Sequence, residues 1–499
     1  MNEFLPYISQ LLNSAISGFS YLLPELVLVL TFILVILADL IFPGKKSSVA
    51  FYVCVAGILF SIITGFIQNL DISRIALFSN TMILDDVSIS FKSIFSAVTI
   101  LFAFFIRYNQ SLQNHKKGVG DIYMLLPAIL IGLNLMSMSS SLLMIYLSIE
   151  MVSIASYLLV GYASGTNKET EAAMKYVLFG SICSAVMLYG MSLLYAFTGS
   201  INIGDTSFLT GLQLISNPAV TLALILVLVG IGFKLSFVPL HFWSPDVYEG
   251  APTPVTAFIS TAPKIAGFAI LIRFIEPFHI FEQNSPANTL FDFKTILSVV
   301  ALVTMIVGNF SAIWQNNVKR MLAYSSIGHT GFALIAIVAF DGSGFKSLIF
   351  YFAIYAIMNM TAFMLADKIE SQTGITDITG YKGLGKLLKT EFVCFVVVLI
   401  SLTGLPPTAG FVAKLFVFSL GFEYYSASGS EWMLGLLITG ALTTVISLFY
   451  YLKIPLYAFL KDSEEEVRIV PKMDSLSYLI LLLSVLLVLF GIFPDILTI

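Results

Sequence analysis

Several ionisable residues lie inside long apolar segments of this sequence. The stretch 227–264 carries Lys234 in one apolar run, which Pro239 interrupts, and Lys264 in the next. A charge in hydrocarbon costs roughly 2.5 to 3.5 kcal/mol on insertion scales, so each buried charge needs a partner or a function. Charged residues inside membrane helices commonly mark proton relays or ion pathways. We therefore predict that these lysines carry protons.

Glu150 is an acid in the middle of another apolar run, IYLSIEMVSIASYLL, without a charged neighbour in that run. A neutral carboxyl kept for packing is one interpretation. The interpretation that we favour pairs Glu150 with Lys234 across helices, because each charge lowers the cost of burying the other. Water and neighbouring groups can tighten or loosen such a pair, as a proton switch requires.

Lys264 has small neighbours, Ala262, Pro263 and Ala266, which leave room for water or for a close helix. An amine buried without a counter-ion loses proton affinity, because desolvation disfavours its charged form. We predict that Lys264 is the central relay. The competing account is that Lys264 stays charged and holds the fold together through a partner such as Glu150. Lys264 lies too deep in its run to reach an interface by snorkelling.

Two histidines are further candidates for proton transfer. His329, in the run that begins MLAYSSIGHTGFALI, titrates near neutrality when unperturbed. A relay and a neutral hydrogen-bonding core residue are both open interpretations of His329. His241 follows Pro239, and we interpret it as a candidate water entrance.

A second interrupted run, SLTGLPPTAGFVAKLFVF, contains Lys414. Gly404, Pro406 and Pro407 precede this lysine and must interrupt the helical hydrogen-bond ladder. We predict that Lys414 is the relay at the outer end.

A faint internal repeat connects the two interrupted runs. Lys234 aligns with Lys414 at an offset of 180 residues, and segment 145–151 aligns with 323–329 at an offset of 178 residues. This period covers five spans, and an odd number inverts the second copy relative to the first. The sequence predicts two inverted five-helix repeats, spans 4 to 8 and 9 to 13, each with a broken helix.

Composition places these runs in a polytopic, all-α membrane protein. Of 499 residues, 58% are hydrophobic and only 11% are charged, against about 25% charged in soluble proteins. The N-terminus lacks the pattern of a removable signal peptide. Runs long enough to cross about 30 Å of hydrocarbon predict about fourteen spans, at residues 22–42, 49–68, 87–107, 121–137, 140–162, 172–198, 218–240, 254–276, 294–314, 322–340, 344–366, 391–421, 432–458 and 474–494.

The spans group into four parts. They are an N-terminal three-span segment (1–120), the first repeat (121–276), the second repeat (277–458) and a C-terminal span (459–499). Sixteen of the 25 basic residues fall in loops on one side and five on the other, so the positive-inside rule predicts both termini outside the cytoplasm. The sixteen are Lys45, Lys46, Arg107, Lys116, Lys117, Lys168, Lys319, Arg320, Lys368, Lys382, Lys386, Lys389, Lys453, Lys461, Arg468 and Lys472. The five are Arg74, Lys92, Arg273, Lys294 and Lys346.

Other chemistries find no support in the sequence. Cys54, Cys183 and Cys394 are isolated, so we expect neither iron–sulfur ligation nor another metal site in this chain. The segment 381–386, YKGLGK, follows no strand and is not expected to bind a nucleotide phosphate. The net charge of −4 and the lack of a basic stripe argue against nucleic acid as a partner.

Three segments resemble the antiporter-like subunits of the bacterial proton-translocating NADH:quinone oxidoreductase, respiratory complex I. They are FKLSFVPLHFWSPDVYEGAPTPVTAFIS at 233–260, KRMLAYSSIGHTGF at 319–332 and GLPPTAGFVAKLFVF at 404–418. The resemblance implies fourteen spans in which Glu150 and Lys234 form a pair and Lys264 and Lys414 continue the relay. It also implies that FMN, iron–sulfur clusters and quinone belong to other subunits. The implied partners are membrane-arm subunits of the bacterial inner membrane, namely a neighbouring antiporter-like subunit and small membrane subunits.

Two features favour one member of that family. Lys414 stands where related subunits carry an acid, and the chain ends at Ile499 without a long lateral helix. A free-standing cation/proton antiporter remains the alternative, because the same buried charges could serve Na⁺ exchange. An intramembrane enzyme is disfavoured, since no nucleophile–base pair or metal triad is found.

Overall fold

The computed structural model describes residues 12, 15–42, 48–69, 74–163, 165–284, 291–340, 344–462 and 473–496. Four basic residues used for the orientation lie outside the described residues, namely Lys45, Lys46, Arg468 and Lys472. Both chain ends also lie outside them.

Helices dominate because backbone groups in apolar segments must satisfy their hydrogen bonds within the segment. The helices are α1 (Leu23–Ile41), α2 (Ser48–Asn69), α3 (Asp86–Tyr108), α4 (Gln110–Gln113), α5 (Gly120–Met138), α6 (Leu142–Val160), α7 (Asn167–Thr198), α8 (Thr206–Gln213), α9 (Asn217–Leu235), α10 (Trp243–Gly250), α11 (Thr253–Ile259), α12 (Ala262–Asn284), α13 (Phe293–Ile313), α14 (Val318–Val338), α15 (Phe345–Thr373), α16 (Leu384–Leu387), α17 (Lys389–Thr403), α18 (Ala409–Ser428), α19 (Glu431–Pro455) and α20 (Ser475–Ile492).

Thirteen helical segments among the described residues are long and apolar enough to cross a membrane. The predicted span 391–421 is divided into α17 and α18, which adds the fourteenth. The prediction of an all-α polytopic fold is therefore confirmed. The inverted relation of the two repeats, and the four parts of the chain, stay predictions.

The two predicted breaks lie on opposite sides of their lysines. A left-handed residue ends each preceding helix, Ser236 after α9 and Gly404 after α17, at an offset of 168 residues. Lys234 therefore comes before its break, whereas Lys414 comes after its own. The alignment of the two lysines at an offset of 180 was wrong as an alignment of helix positions, because matching residue types cannot show on which side of a break each one lies.

A third break, in the predicted span 254–276, was missed. Ser260 and Thr261 separate α11 from α12 and place Lys264 in the first turn of α12. The Nδ2 group of Asn359 donates to the hydroxyls of both break residues, at 2.6 and 2.9 Å. The Tyr355 hydroxyl donates to the Ser260 carbonyl at 3.1 Å. Side chains of α15 thus supply the polar partners that an interrupted helix needs inside a membrane.

A small antiparallel hairpin precedes α3 and was also not predicted. Its strands are β1 (Arg74–Leu77) and β2 (Met82–Asp85), and Asp85 forms the N-terminal capping box of α3. The strands have only four residues each, too few for a recognisable alternation of polar and apolar side chains.

Arg273 was assigned to an outer loop, and the structure corrects this. It lies in α12, is only 2% exposed, and donates from Nη1 to Asp85 Oδ2 at 2.8 Å and from Nε to the Ser137 carbonyl at 2.8 Å. Burial by itself raises the pKa of Asp85, but the hydrogen bonds and the charge of Arg273 outweigh it and lower that pKa below 3.8. The paired carboxylate is what allows the guanidinium to be buried.

Candidate functional site: a buried axis of ionisable residues

Lys234 and Glu150 lie on different helices and do not form a direct ion pair. The Lys234 ammonium, buried in the last turn of α9, donates to Ser153 Oγ at 2.9 Å. Glu150, one turn before Ser153 on α6, accepts instead from the hydroxyl of Ser184 on α7. The charge of Glu150 still acts on Lys234. The predicted contact is thus corrected to an interaction through space, flanked by two serine hydroxyls.

Lys264 is 2% exposed, and its bonding partner is neutral. Its Nζ donates to Ser326 Oγ at 2.7 Å and to the Ser326 carbonyl at 3.3 Å, on α14. The described structure shows no ion pair between Lys264 and Glu150, the partner that the anchor account requires. The N-terminal position in α12 gives no stabilisation either, since the helix macrodipole disfavours a cation at that end.

One face of α14 connects the end of α9 with Lys264. Thr330 donates to the carbonyl of Leu235, the residue after Lys234, at 3.1 Å. The same hydroxyl lies 3.1 Å from the carbonyl of Ser326, which accepts from Lys264. Hydroxyls and carbonyls therefore run from one buried lysine to the next.

His329 continues this face of α14 and is buried between two tyrosines. Its Nδ1 lies 3.0 Å from the Tyr351 hydroxyl, and its Nε2 lies 3.5 Å from the Tyr451 hydroxyl. The charges of Lys264 and Lys414 both act on this ring. His329 is therefore placed between the two lysines, with a hydroxyl at each ring nitrogen.

Lys414 is buried in α18 but bonds back across the break. Its Nζ donates at 2.8 Å to the carbonyl of Thr403, the last residue of α17, and lies 5.5 Å from the centre of the Phe332 ring. A helix C-terminus stabilises a cation. Lys234 also sits at the carbonyl end of its helix. The two ammonium groups thus occupy similar ends of α9 and α17, although the lysines flank their breaks differently in sequence.

A small polar cavity of about 20 Å³ separates Lys414 from His329. Asn309, Ser447 and Tyr450 also line it. A volume of about 10 to 15 Å³ is enough for one water when polar partners surround it. A single water can therefore bridge His329 and Lys414.

His241 lies between α9 and α10 and is buried, with no partner for Nδ1 among the described residues. Burial lowers the pKa of His241, while its hydrogen bond with the Pro239 backbone acts in the opposite direction. Its role as a water entrance stays a prediction.

Sequence reasoning missed the hydroxyl groups of the axis. Ser153 and Ser326 bond directly to buried lysines, and Tyr351 and Tyr451 flank the histidine. A usable signal was present for the serines, since each lies three residues from an ionisable residue of its own helix and therefore on the same face. The two tyrosines come from distant segments and had no such signal.

Residues 139–447 match the family described as NADH:quinone oxidoreductase/Mrp antiporter, TM. A relative from Chloroherpeton thalassium, NADH-quinone oxidoreductase subunit N 2, is 40% identical over 97% of this chain and 94% of its own length. The chain belongs to the NADH:quinone oxidoreductase/Mrp antiporter family. The family match includes all five axis residues, namely Glu150, Lys234, Lys264, His329 and Lys414.

Two further comparisons agree with this family. NADH-quinone oxidoreductase subunit N of Chlorobium chlorochromatii is 38% identical over 91% of this chain and 88% of its own length. Among solved structures, a chain of respiratory complex I from Thermus thermophilus with bound aureothin superposes with a TM-score of 0.77. It is 28% identical and covers 95% of this chain and 98% of its own length. The architecture is therefore that of an antiporter-like membrane subunit of this family.

Proposed function

We propose that this chain is membrane-arm subunit N of a proton-translocating NADH:quinone oxidoreductase. It moves protons across the membrane while other subunits transfer electrons from NADH to quinone. The observation that carries this proposal is the succession of buried ionisable side chains, Glu150, Lys234, Lys264, His329 and Lys414. Hydroxyls and carbonyls, not tight ion pairs, bond to its lysines. Such partners permit proton transfer, because losing or gaining a proton breaks no buried salt bridge.

The axis suggests how a proton moves. Lys234 is held by Ser153 within the field of Glu150, so a change in that field alters its proton affinity. Lys264 receives the proton through the hydroxyls on α14, and His329 passes it between its tyrosine-bonded nitrogens. A water in the small cavity carries it to Lys414 at the second break.

The proposal assigns the redox chemistry and the cofactors to other subunits. FMN, iron–sulfur clusters and quinone are expected there, and the partners of this chain are the neighbouring antiporter-like subunit and small membrane subunits. The location is the bacterial inner membrane, with both termini on the periplasmic side by the loop charges. Lys414, in place of an acid, supports subunit N over its antiporter-like relatives.

A free-standing cation/proton antiporter is the second candidate function. The family description itself includes the Mrp antiporters, so the same fold serves both uses. Purification in mild detergent separates the two. Flavin and iron–sulfur subunits that co-purify with this chain support subunit N, whereas cation exchange by the chain without such subunits supports the antiporter.

Lys234→Ala and Glu150→Ala are expected to reduce NADH-driven proton pumping strongly while the complex still assembles. Each variant removes one of the two charges that act on each other, but neither breaks a direct ion pair, so the structural cost stays moderate. Pumping is measured with a pH-sensitive dye in inside-out vesicles, and assembly on a native gel. Lys168→Ala is the control, since that side chain is exposed. Normal pumping in both variants would contradict the proposal.

Lys414→Arg tests whether this residue titrates. Arginine keeps the positive charge near Thr403 but does not deprotonate in proteins, so we expect an assembled complex with impaired pumping. Lys346→Arg, at an exposed position, is the matched control. Full coupling in Lys414→Arg would show that only a fixed positive charge is needed there.

A further inference from the structure

A large polar cavity lies at one end of the helix bundle, away from the axis. Its volume is about 730 Å³, and Asn109, Lys319, Asp367 and Glu370 are among its lining residues. At about 30 Å³ per molecule, this volume holds on the order of 20 waters. Many of the basic loop residues that predict the cytoplasmic side border this end. The cavity is therefore a candidate water-filled vestibule on the cytoplasmic face.

Asp367, near the end of α15, faces this cavity without a cationic partner in an ion pair. Both of its carboxylate oxygens lie 2.9 Å from Asn109 Nδ2, a neutral donor. Lys319 lines the same cavity, but its Nζ donates to the carbonyl of Ala251 at 3.3 Å. Among the described residues, no ion pair joins Asp367 to Lys319 or to another base. A carboxylate beside water and free of a salt bridge can bind and release a proton.

One face of α15 leads from this carboxylate to the axis. Tyr351, Tyr355, Asn359, Phe363 and Asp367 follow one another at intervals of four residues, so they share that face. The first bonds to His329, and the second and third bond to the break before Lys264. Four of the five side chains are polar in a helix that is otherwise mostly apolar.

The short helix α11 packs against α15 along the same route. Thr253 at its start lines the cavity, and Ser260 directly after its end accepts from Asn359. Thr256 lies between them, with its hydroxyl bonded to the backbone of α10. Hydroxyls of α11 therefore accompany the polar face of α15 from the cavity to the break.

Phe363 is the apolar member of this face. It is fully buried and lies edge-on to Tyr248, with 6.3 Å between the ring centres. An apolar side chain between two wet regions acts as a barrier that water must cross by transient wetting. The route is thus divided into an outer part at Asp367 and an inner part at Asn359.

We propose that Asp367 is the proton-uptake residue of this chain and that the shared face of α11 and α15 delivers protons past Phe363 to Lys264. The Asp367 carboxylate takes a proton from hydronium in the cavity, leaving water. The carboxyl group then gives this proton to a water that wets the barrier, and the carboxylate is restored. This inference rests on the proposed function of the axis and adds the route by which protons reach it.

The decisive comparison is Asp367→Asn against Glu370→Gln in the assembled complex. Each removes one carboxylate from the same cavity, but only Asp367 lies on the shared face. We expect proton uptake per NADH oxidised to fall about 100-fold in Asp367→Asn, as for loss of an acid–base group, and to stay near normal in Glu370→Gln. Normal uptake in Asp367→Asn overturns the proposal, and so does an equal loss in both variants.

Lys264→Met, measured in parallel, separates this inference from the proposed function. A deficient Lys264→Met together with a normal Asp367→Asn removes only the uptake route. A normal Lys264→Met removes the proposed function of the axis itself.

Thiol labelling tests the route without reference to pumping. The native residues Cys54, Cys183 and Cys394 are buried, so background labelling is low. In inside-out vesicles, a membrane-impermeant thiol reagent should label Asp367→Cys and Thr253→Cys but not Asn359→Cys, which lies beyond Phe363. Absence of labelling at both cavity positions overturns the vestibule, and equal labelling of Asn359→Cys overturns the barrier.

Discussion

Replacing Lys264 by methionine is expected to leave an assembled complex that pumps protons about 100-fold more slowly, as loss of an acid–base relay predicts. Methionine keeps the length and the apolar packing of the side chain while removing the titratable amine. The assembly should survive because the partner of Lys264 is Ser326, a neutral residue, and no carboxylate is left unpaired. Pumping is measured with a pH-sensitive dye in vesicles, and assembly on a native gel.

The anchor account makes the opposite prediction for the same variant. If Lys264 holds the fold together as a permanent charge, then Lys264→Met should lose assembly or melt at a lower temperature. Lys346→Met is the matched control, because it makes the same change at an exposed site. An assembled Lys264→Met variant that pumps at the normal rate would eliminate the relay role.

Removing the guanidinium of Arg273 is expected to have the largest effect on assembly. Arg273 joins α12 to Asp85 at the start of α3 and to the Ser137 carbonyl in α5. In Arg273→Met, the Asp85 carboxylate is left buried without its partner, which costs about 3 to 5 kcal/mol. We expect little assembled complex on a native gel and a clearly lower melting temperature for what remains.

Arg74→Met is the matched control for Arg273→Met. Its side chain is 53% exposed, and its pair with Glu276, at 3.2 Å, lies at the surface. Exposed pairs contribute about 0.2 to 1 kcal/mol, so this variant should assemble normally. Equal melting temperatures for the two variants would show that the buried pair contributes no more than the exposed one.

The same ion pair makes stability depend on pH. The pKa of Asp85 lies below 3.8 in the folded chain, because Arg273 outweighs the effect of burial. A carboxyl whose pKa is lowered by folding contributes stability at neutral pH, and this contribution is lost as the pH falls through the folded value. Arg273→Met should therefore lose less stability than the wild type when the pH is lowered from neutral into this acid range.

The sequence by itself determined the membrane architecture and the ionisable residues of the axis. Long apolar runs set the spans, because only about 20 apolar residues in a helix cross the hydrocarbon region. Within such runs a single lysine or acid stands out at once, as Glu150, Lys264 and Lys414 did. The breaks at Pro239 and Pro407 were equally visible, since proline lacks the N–H that a helix interior needs.

Only the tertiary structure decided what each of these residues contacts. Glu150 bonds to Ser184 and not to Lys234, and Lys264 bonds to Ser326, because helix packing determines which polar groups meet. The break at Ser260 carried no proline signal within the run; it is stabilised by Asn359, 99 residues away. The burial of Arg273 depends on Asp85, 188 residues away. Such partners are brought together by packing between distant helices, and the local patterns of a sequence do not encode them.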